Sequence, residues 1–201
     1  MRDDWKEQTD ELVRVCRNLY AGGLQRANGG NISVRAGDSC MTVKAKGTCF
    51  REAEAGDFVL TDLNGQKLDG EKEPTKESLM HGTIYRCQER TGAIVHVHAP
   101  YAVAWSSFHA ELKRFTWPAR LKFETDIPVL DIKSPVVRKE DIPMLEEILE
   151  RETFPKGFIL KEHGIVALGK DLKEAQQNAE LIEETAKIAA LRGLVIRGRE
   201  E

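Results

Sequence analysis

The sequence predicts a layered α/β fold, and three observations carry that prediction. Segments with apolar residues at three- and four-residue spacing alternate with short runs rich in Val, Ile and Leu. Glycine and Asn-Gly or Gly-Asp pairs mark the joints between them. The 201 residues suffice for one substantial core, and no repeat, low-complexity run or linker divides them, so residues 1–201 read as a single domain.

Each element has its own signal. Residues 4–20 place Leu12, Val15 or Cys16, and Leu19 at helical spacing, and Gly22-Gly23 ends that helix. GGNISVRAGDSCMTVKAKG predicts short strands turning at Gly37-Asp38, and DFVLTDLNGQKLDG predicts a hairpin turning at Asn64-Gly65. EPTKESLMHGTIYRCQER predicts a helix with Pro74 and Thr75 at its start and Leu79, Ile84 and Cys87 as its core face. A strand over Ala93–His98 gives way to a short helix after Pro100, and IPVLDI is a further strand. KEDIPMLEEILER is a helix that tolerates Pro143 in its first turn, and GFILKEHGIVALG reads as strand, turn, strand. The last element is a long helix capped by Asp171, with Leu172, Ala175, Ala179, Ile182, Ala186 and Ala189 on one face.

Composition narrows the classes of function. Hydrophobic residues make up 41% and charged residues 31%, as in ordinary soluble domains. A net charge of -3 offers no broad basic field for nucleic acid. No stretch approaches the roughly 20 apolar residues of a membrane helix. The charged N-terminus has no apolar signal region, and Cys16, Cys40, Cys49 and Cys87 form no CxxC pair. Reduced thiols and a cytoplasmic location are therefore expected.

The chemistry concentrates in AIVHVHAPYA. Residues two apart on a strand share a face, so His96 and His98 present both imidazoles to one point. Buried imidazoles without partners are costly, which makes a shared metal one explanation and core histidines bonded to backbone the other. His163 lies at the break between two apolar runs, as a third imidazole or as a turn residue before Gly164. Three protein ligands with one exchangeable position are the pattern of catalytic zinc. Glu77, in the first turn of its helix, either complements the helix dipole or serves as a metal-bound carboxylate and base. His81, four residues on, shares its face as ligand or, more simply, packing residue; Tyr101, Trp105 and His109 also read as packing residues. No acid follows HVH before Glu111, so the cupin pattern is excluded. GGLQRANGGN is neither a Walker loop nor GxGxxG, so no nucleotide site is supported.

Four segments in order, GGNISVR, PTKESLMHGTIYR, AIVHVHAPYAVAWS and LKEHGIVALGKDLKEA, resemble the class II aldolase/adducin family. The resemblance runs from about residue 8 to about residue 193. It implies a three-layer α/β/α fold with a largely antiparallel central sheet, and a homotetramer with active sites at subunit interfaces. It implies His96, His98 and His163 as zinc ligands, with manganese, cobalt or iron as substitutes. Glu77 becomes the acid–base residue, able to bind the metal when no substrate is present. Asn31, Gly47, Thr75 and Lys76 become the seat of a substrate phosphate, where backbone N–H groups favour an anion. The implied reaction is zinc-dependent cleavage of a small ketose phosphate to dihydroxyacetone phosphate and an aldehyde, through an enediolate. Decarboxylation of a phosphorylated sugar acid, epimerisation and dehydration are the family alternatives, and a non-catalytic adducin-like scaffold is the alternative of another class. Two departures bear on the choice. The aldolases carry two serines where this chain has Thr75-Lys76, a pair resembling the family's oxo-tetronate-phosphate decarboxylases. The mid-chain tyrosine of the fuculose-phosphate aldolases falls at Trp117, and the C-terminal segment has no tyrosine.

Overall fold

The computed structural model describes residues 2–150 and 155–197. Helix α1 (Arg2–Ala21) ends where the Leu24 amide returns to the Leu19 carbonyl at 3.0 Å, as a C-terminal helix motif does. Strands β1 (Asn31–Arg35) and β2 (Cys40–Lys44) form the first pair, and β3 (Phe58–Asp62) and β4 (Lys67–Asp69) form the predicted hairpin. Helix α2 (Ser78–Cys87), strand β5 (Ala93–Val97) and helix α3 (Pro100–Ser106) follow. The second half contains β6 (Glu111–Leu112), α4 (Trp117–Lys122), β7 (Ile127–Leu130), α5 (Ile142–Glu150), β8 (Gly157–Leu160), β9 (Gly164–Gly169) and α6 (Leu172–Arg197).

One nine-stranded sheet runs β4-β3-β2-β1-β5-β9-β8-β7-β6. Every pairing is antiparallel except β7 with β8. Strand alternation sends side chains to two faces. Ala93, Val95 and Val97 join the core formed with α1, α3, α4 and α6, while Ile94 joins the core formed with α2 and α5. The result is the expected α/β/α stack with a largely antiparallel sheet.

Two features differ from the sequence-based expectation. The α2 helix begins at Ser78, not Pro74, so its buried face is Met80, His81, Ile84 and Tyr85. Leu79 is only half-buried and Cys87 is exposed. Pro74 instead bridges to Ala45, and the Thr75 amide donates to the Lys44 carbonyl at 3.2 Å, which holds Pro74 and Thr75 against the end of β2 before the chain turns at Lys76 into the helix. The second difference is β6 and α4, whose two and six residues have no periodic signature in the sequence. Asp171 does cap α6: its Oδ1 accepts from the Glu174 amide at 2.7 Å.

Candidate metal centre

The sheet register assembles the site. Asn31 pairs with His96 across β1 and β5, and Val97 pairs with Ile165 across β5 and β9. His98 leaves the end of β5 while His163 enters just before β9, so the two arrive side by side. Gly164 makes this approach feasible, because a Cβ there would lie 2.3 Å from the Val97 carbonyl oxygen.

His96, His98 and His163 converge, each offering a ligand atom within 4.8 Å of the others. Their ring centroids are 5.1, 4.8 and 4.9 Å apart. His96 is fully buried and the other two are half-buried. His96 Nδ1 donates to the Ile165 carbonyl at 2.9 Å, which fixes the tautomer and leaves the Nε2 lone pair free, as a backbone carbonyl commonly does behind a metal-bound histidine. Glu77 Oε2 lies 3.2 Å from His96 Nε2, without hydrogen-bond geometry.

The electrostatics suit a cation. Burial pushes the His98 imidazole down to about 4, helped by repulsion from His96 and His163. Burial and His96 likewise lower His163. Both rings are therefore neutral near pH 7, the form that binds metal. Burial opposes charge on His96 too, but the adjacent Glu77 carboxylate outweighs it and raises His96. Burial also works against ionised Glu77, yet His96, His163 and Asn31 together hold it well below the usual carboxylate range. Four buried atoms here lack a hydrogen-bond partner: His96 Nε2, His98 Nε2, His163 Nδ1 and Glu77 Oε1. Leaving that many polar atoms unpaired is costly, and a shared divalent cation is a chemical fit to three imidazoles and a carboxylate.

The remaining predicted residues fall into two groups. Asn31 is buried beside the histidines; its Nδ2 donates to Glu77 Oε2 at 2.7 Å and its Oδ1 meets His81 Nε2 at 2.5 Å. An amide nitrogen carries two hydrogens, and Glu77 takes one of those on Asn31. The antiparallel Ala45–Pro74 bridge lays the loop that carries Gly47 beside the segment that carries Thr75 and Lys76, with the Lys46 amide donating to the Glu73 carbonyl at 2.8 Å. Gly47 and Lys76 are exposed and Thr75 half-buried, directly before Glu77 in the chain. Glu77 itself occupies the position preceding α2 rather than its first turn.

His81 packs, as the simpler expectation had it, but as a hydrogen-bonded residue: its Nδ1 lies 2.7 Å from Ser33 Oγ, and Ser33 Oγ lies 2.8 Å from the Tyr85 hydroxyl. Trp105 and His109 stack on each other at 3.7 Å. Sequence reasoning missed Gln25, whose Oε1 accepts from the His98 amide at 2.9 Å, and Glu183, whose carboxylate accepts from the Tyr101 and Ala102 amides at 2.9 Å each. It also missed Ser33 and Tyr85. The visible trace was polar Asn31, Ser33 and Arg35 alternating with apolar Ile32 and Val34 along one strand.

Comparison with known proteins agrees with this fold. The class II aldolase and adducin N-terminal domain family matches residues 10–190. An L-fuculose phosphate aldolase of Methanococcus maripaludis is 33% identical over 89% of this chain and 93% of its own. A 3-oxo-tetronate 4-phosphate decarboxylase of Pectobacterium atrosepticum is 31% identical over 91% of this chain and 84% of its own. The crystal structure of L-fuculose-1-phosphate aldolase from Thermus thermophilus superposes with a TM-score of 0.79 at 27% identity, covering 90% of this chain and 91% of that one. Matched over nearly all its length, with relatives that are aldolases and decarboxylases, the chain belongs to the class II aldolase and adducin N-terminal domain family as an enzyme of the aldolase type.

Proposed function

We propose that this chain is a zinc-dependent lyase that cleaves a short ketose phosphate to dihydroxyacetone phosphate and an aldehyde. The observation that carries the reading is the convergence of His96, His98 and His163, with Glu77 Oε2 3.2 Å from His96 Nε2. A divalent cation held by the three imidazoles supplies Lewis-acid stabilisation of the charge that develops on the substrate oxygens. Glu77 carries the proton: in the condensing direction it removes one from the carbon beside the carbonyl, and in the cleaving direction it returns it. Its ionised state makes it competent as the base, and its burial keeps water from competing. The phosphate is seated by Gly47, Thr75 and Lys76, with Asn31 adding its spare amide hydrogen; this places the sugar's phosphate end next in the chain to the proton carrier.

The four cysteines are free thiols, and among the described residues no helix is long and apolar enough to cross a membrane. Both support a cytoplasmic enzyme, and the net charge of -3 supports the absence of a nucleic-acid partner. The exposed apolar side chains Phe108, Trp117, Leu121, Leu191 and Leu194 support a homotetramer.

A second reading is decarboxylation of a phosphorylated sugar acid. A cavity of about 470 Å³ that His163 helps to line carries Lys133 and Lys161, both ion-paired to Asp131, and a substrate carboxylate entering there would compete with Asp131 for the two cations. The Pectobacterium relative carries the same chemistry in its name. Both reactions leave an enediolate that is protonated at the same carbon, so Glu77 serves either. A panel of ketose 1-phosphates and keto-acid phosphates, assayed with zinc, manganese and cobalt, decides. Dihydroxyacetone phosphate release supports the aldolase, CO₂ release supports the decarboxylase, and silence across the panel in metal-loaded protein overturns both.

A further inference from the structure

We propose that His81 is a positioning residue for Glu77, acting through Asn31 as a single fixed tautomer that donates from Nε2 and accepts at Nδ1. The inference rests on Glu77 as the proton carrier. It follows from donor and acceptor logic along five buried side chains: Glu77, Asn31, His81, Ser33 and Tyr85.

Ionised Glu77 can only accept, so the Asn31 atom 2.7 Å from Oε2 is the amide nitrogen. The Asn31 oxygen therefore faces His81 Nε2 at 2.5 Å, and a carbonyl oxygen needs a donor there. His81 Nε2 carries the hydrogen. His81 is fully buried and its two ring nitrogens face a hydroxyl and an amide oxygen, with no carboxylate on either, so the ring is neutral and Nδ1 is bare. Bare Nδ1 accepts from the Ser33 hydroxyl at 2.7 Å. Ser33, its hydrogen thus committed, accepts from the Tyr85 hydroxyl at 2.8 Å. Every donor in the wire has one direction, and Tyr85 is its anchor.

The consequence reaches the chemistry. The wire binds Glu77 through Oε2 alone, and Oε1 has no partner. Oε1 is thus the oxygen that takes and returns the proton, while Oε2 is held in place. The spacing of four between Glu77, just before α2, and His81, in its first turn, lets both reach Asn31 from one side of the helix start. Arg35 closes the far end: its Nη2 donates to the Tyr85 carbonyl at 2.7 Å, and the guanidinium sits 4.8 Å from the Tyr85 ring centroid.

Two substitutions separate positioning from packing. His81→Gln places an amide donor near the Nε2 position, whereas His81→Asn reaches only the Nδ1 position. His81→Asn is expected to lower kcat about 10- to 100-fold, the usual effect of losing a partner one shell out, with KM and zinc content unchanged. His81→Gln is expected to recover most of the loss. Independently of activity, nitrogen-15 NMR of the metal-free and zinc-loaded wild type is expected to show His81 as the neutral Nε2–H tautomer from pH 5 to 8. Wild-type kcat in His81→Asn overturns the positioning role, and an Nδ1–H or protonated His81 ring overturns the wire. If Glu77→Gln keeps full turnover, Glu77 as proton carrier fails, and the NMR tautomer still decides the wire on its own.

Discussion

Gly29 shows how tightly single residues are bound to the histidine cluster. A Cβ at this position would lie 2.6 Å from His98 Nδ1 and 3.0 Å from Gln25 Nε2, and Gln25 in turn holds the His98 amide. The glycine-rich loop therefore serves here as a wall against which the His98 ring lies. Gly29→Ala is expected to displace that ring and weaken zinc binding about 10- to 100-fold, the range seen when a ligand's support is disturbed. Competition against a chromophoric chelator measures this; an unchanged affinity would show that the ring has room to move. Glu77→Gln tests the other half of the site. It is close in shape but carries no basic oxygen, so kcat should fall about a hundredfold to ten-thousandfold. Zinc analysis of the same sample should still find metal, since three imidazoles remain; if zinc and activity vanish together, Glu77 acts as a ligand before it acts as a base.

At the level of elements, the α6 helix reaches two places that local sequence does not reveal. Glu183, buried at 9% exposure, accepts from both free amides at the start of α3 and so fixes the segment that follows His98. Burial raises its carboxyl, and the two amides only partly offset that. Glu183→Ala leaves those amides without a partner and should destabilise the fold by about 1–3 kcal/mol. Thermal melts read this directly, and a shift below about 2 °C would mean that water replaces the carboxylate. Glu174 offers a pH test. Burial alone would raise it, but the Lys170 amide, Lys122 and Lys156 together bring it down to about 2. A depressed carboxylate contributes stability above its unfolded value of 4.5, and loses that contribution as pH falls toward 2. Wild-type stability should therefore drop more steeply over that window than that of Glu174→Gln, as followed by urea midpoints; parallel curves would refute it. The helical period of α1 and the buried stripe of α6 were legible because both are long and local. The face of α2 was misread because its start is set by the Ala45–Pro74 bridge, a contact between residues far apart in sequence. Moving the start to Ser78 brings Met80 inward and leaves Cys87 outside.

Across the whole molecule, the same division between local and distant information explains the site. HVH on a buried strand was legible because alternation alone puts two imidazoles on one face. The wire from Glu77 to Tyr85 was not, since it depends on β1 lying beside β5 with Asn31 opposite His96, and on α2 covering that pair. A metal at this junction would tie the end of β5 to the turn before β9, two segments that meet only in the folded state. It should therefore bind the native chain far better than the unfolded one and stabilise it by mass action, about 2.7 kcal/mol at a hundredfold excess over Kd. For a chain of this length that corresponds to a rise of roughly 5–11 °C in Tm. Zinc added back after chelation should produce this shift in a concentration-dependent way, because it gives partners to four buried atoms that otherwise have none. Differential scanning calorimetry of the wild type beside His96→Ala/His98→Ala/His163→Ala isolates the effect. If zinc shifts the triple variant as far as the wild type, the cation binds elsewhere and the three imidazoles do not form its site.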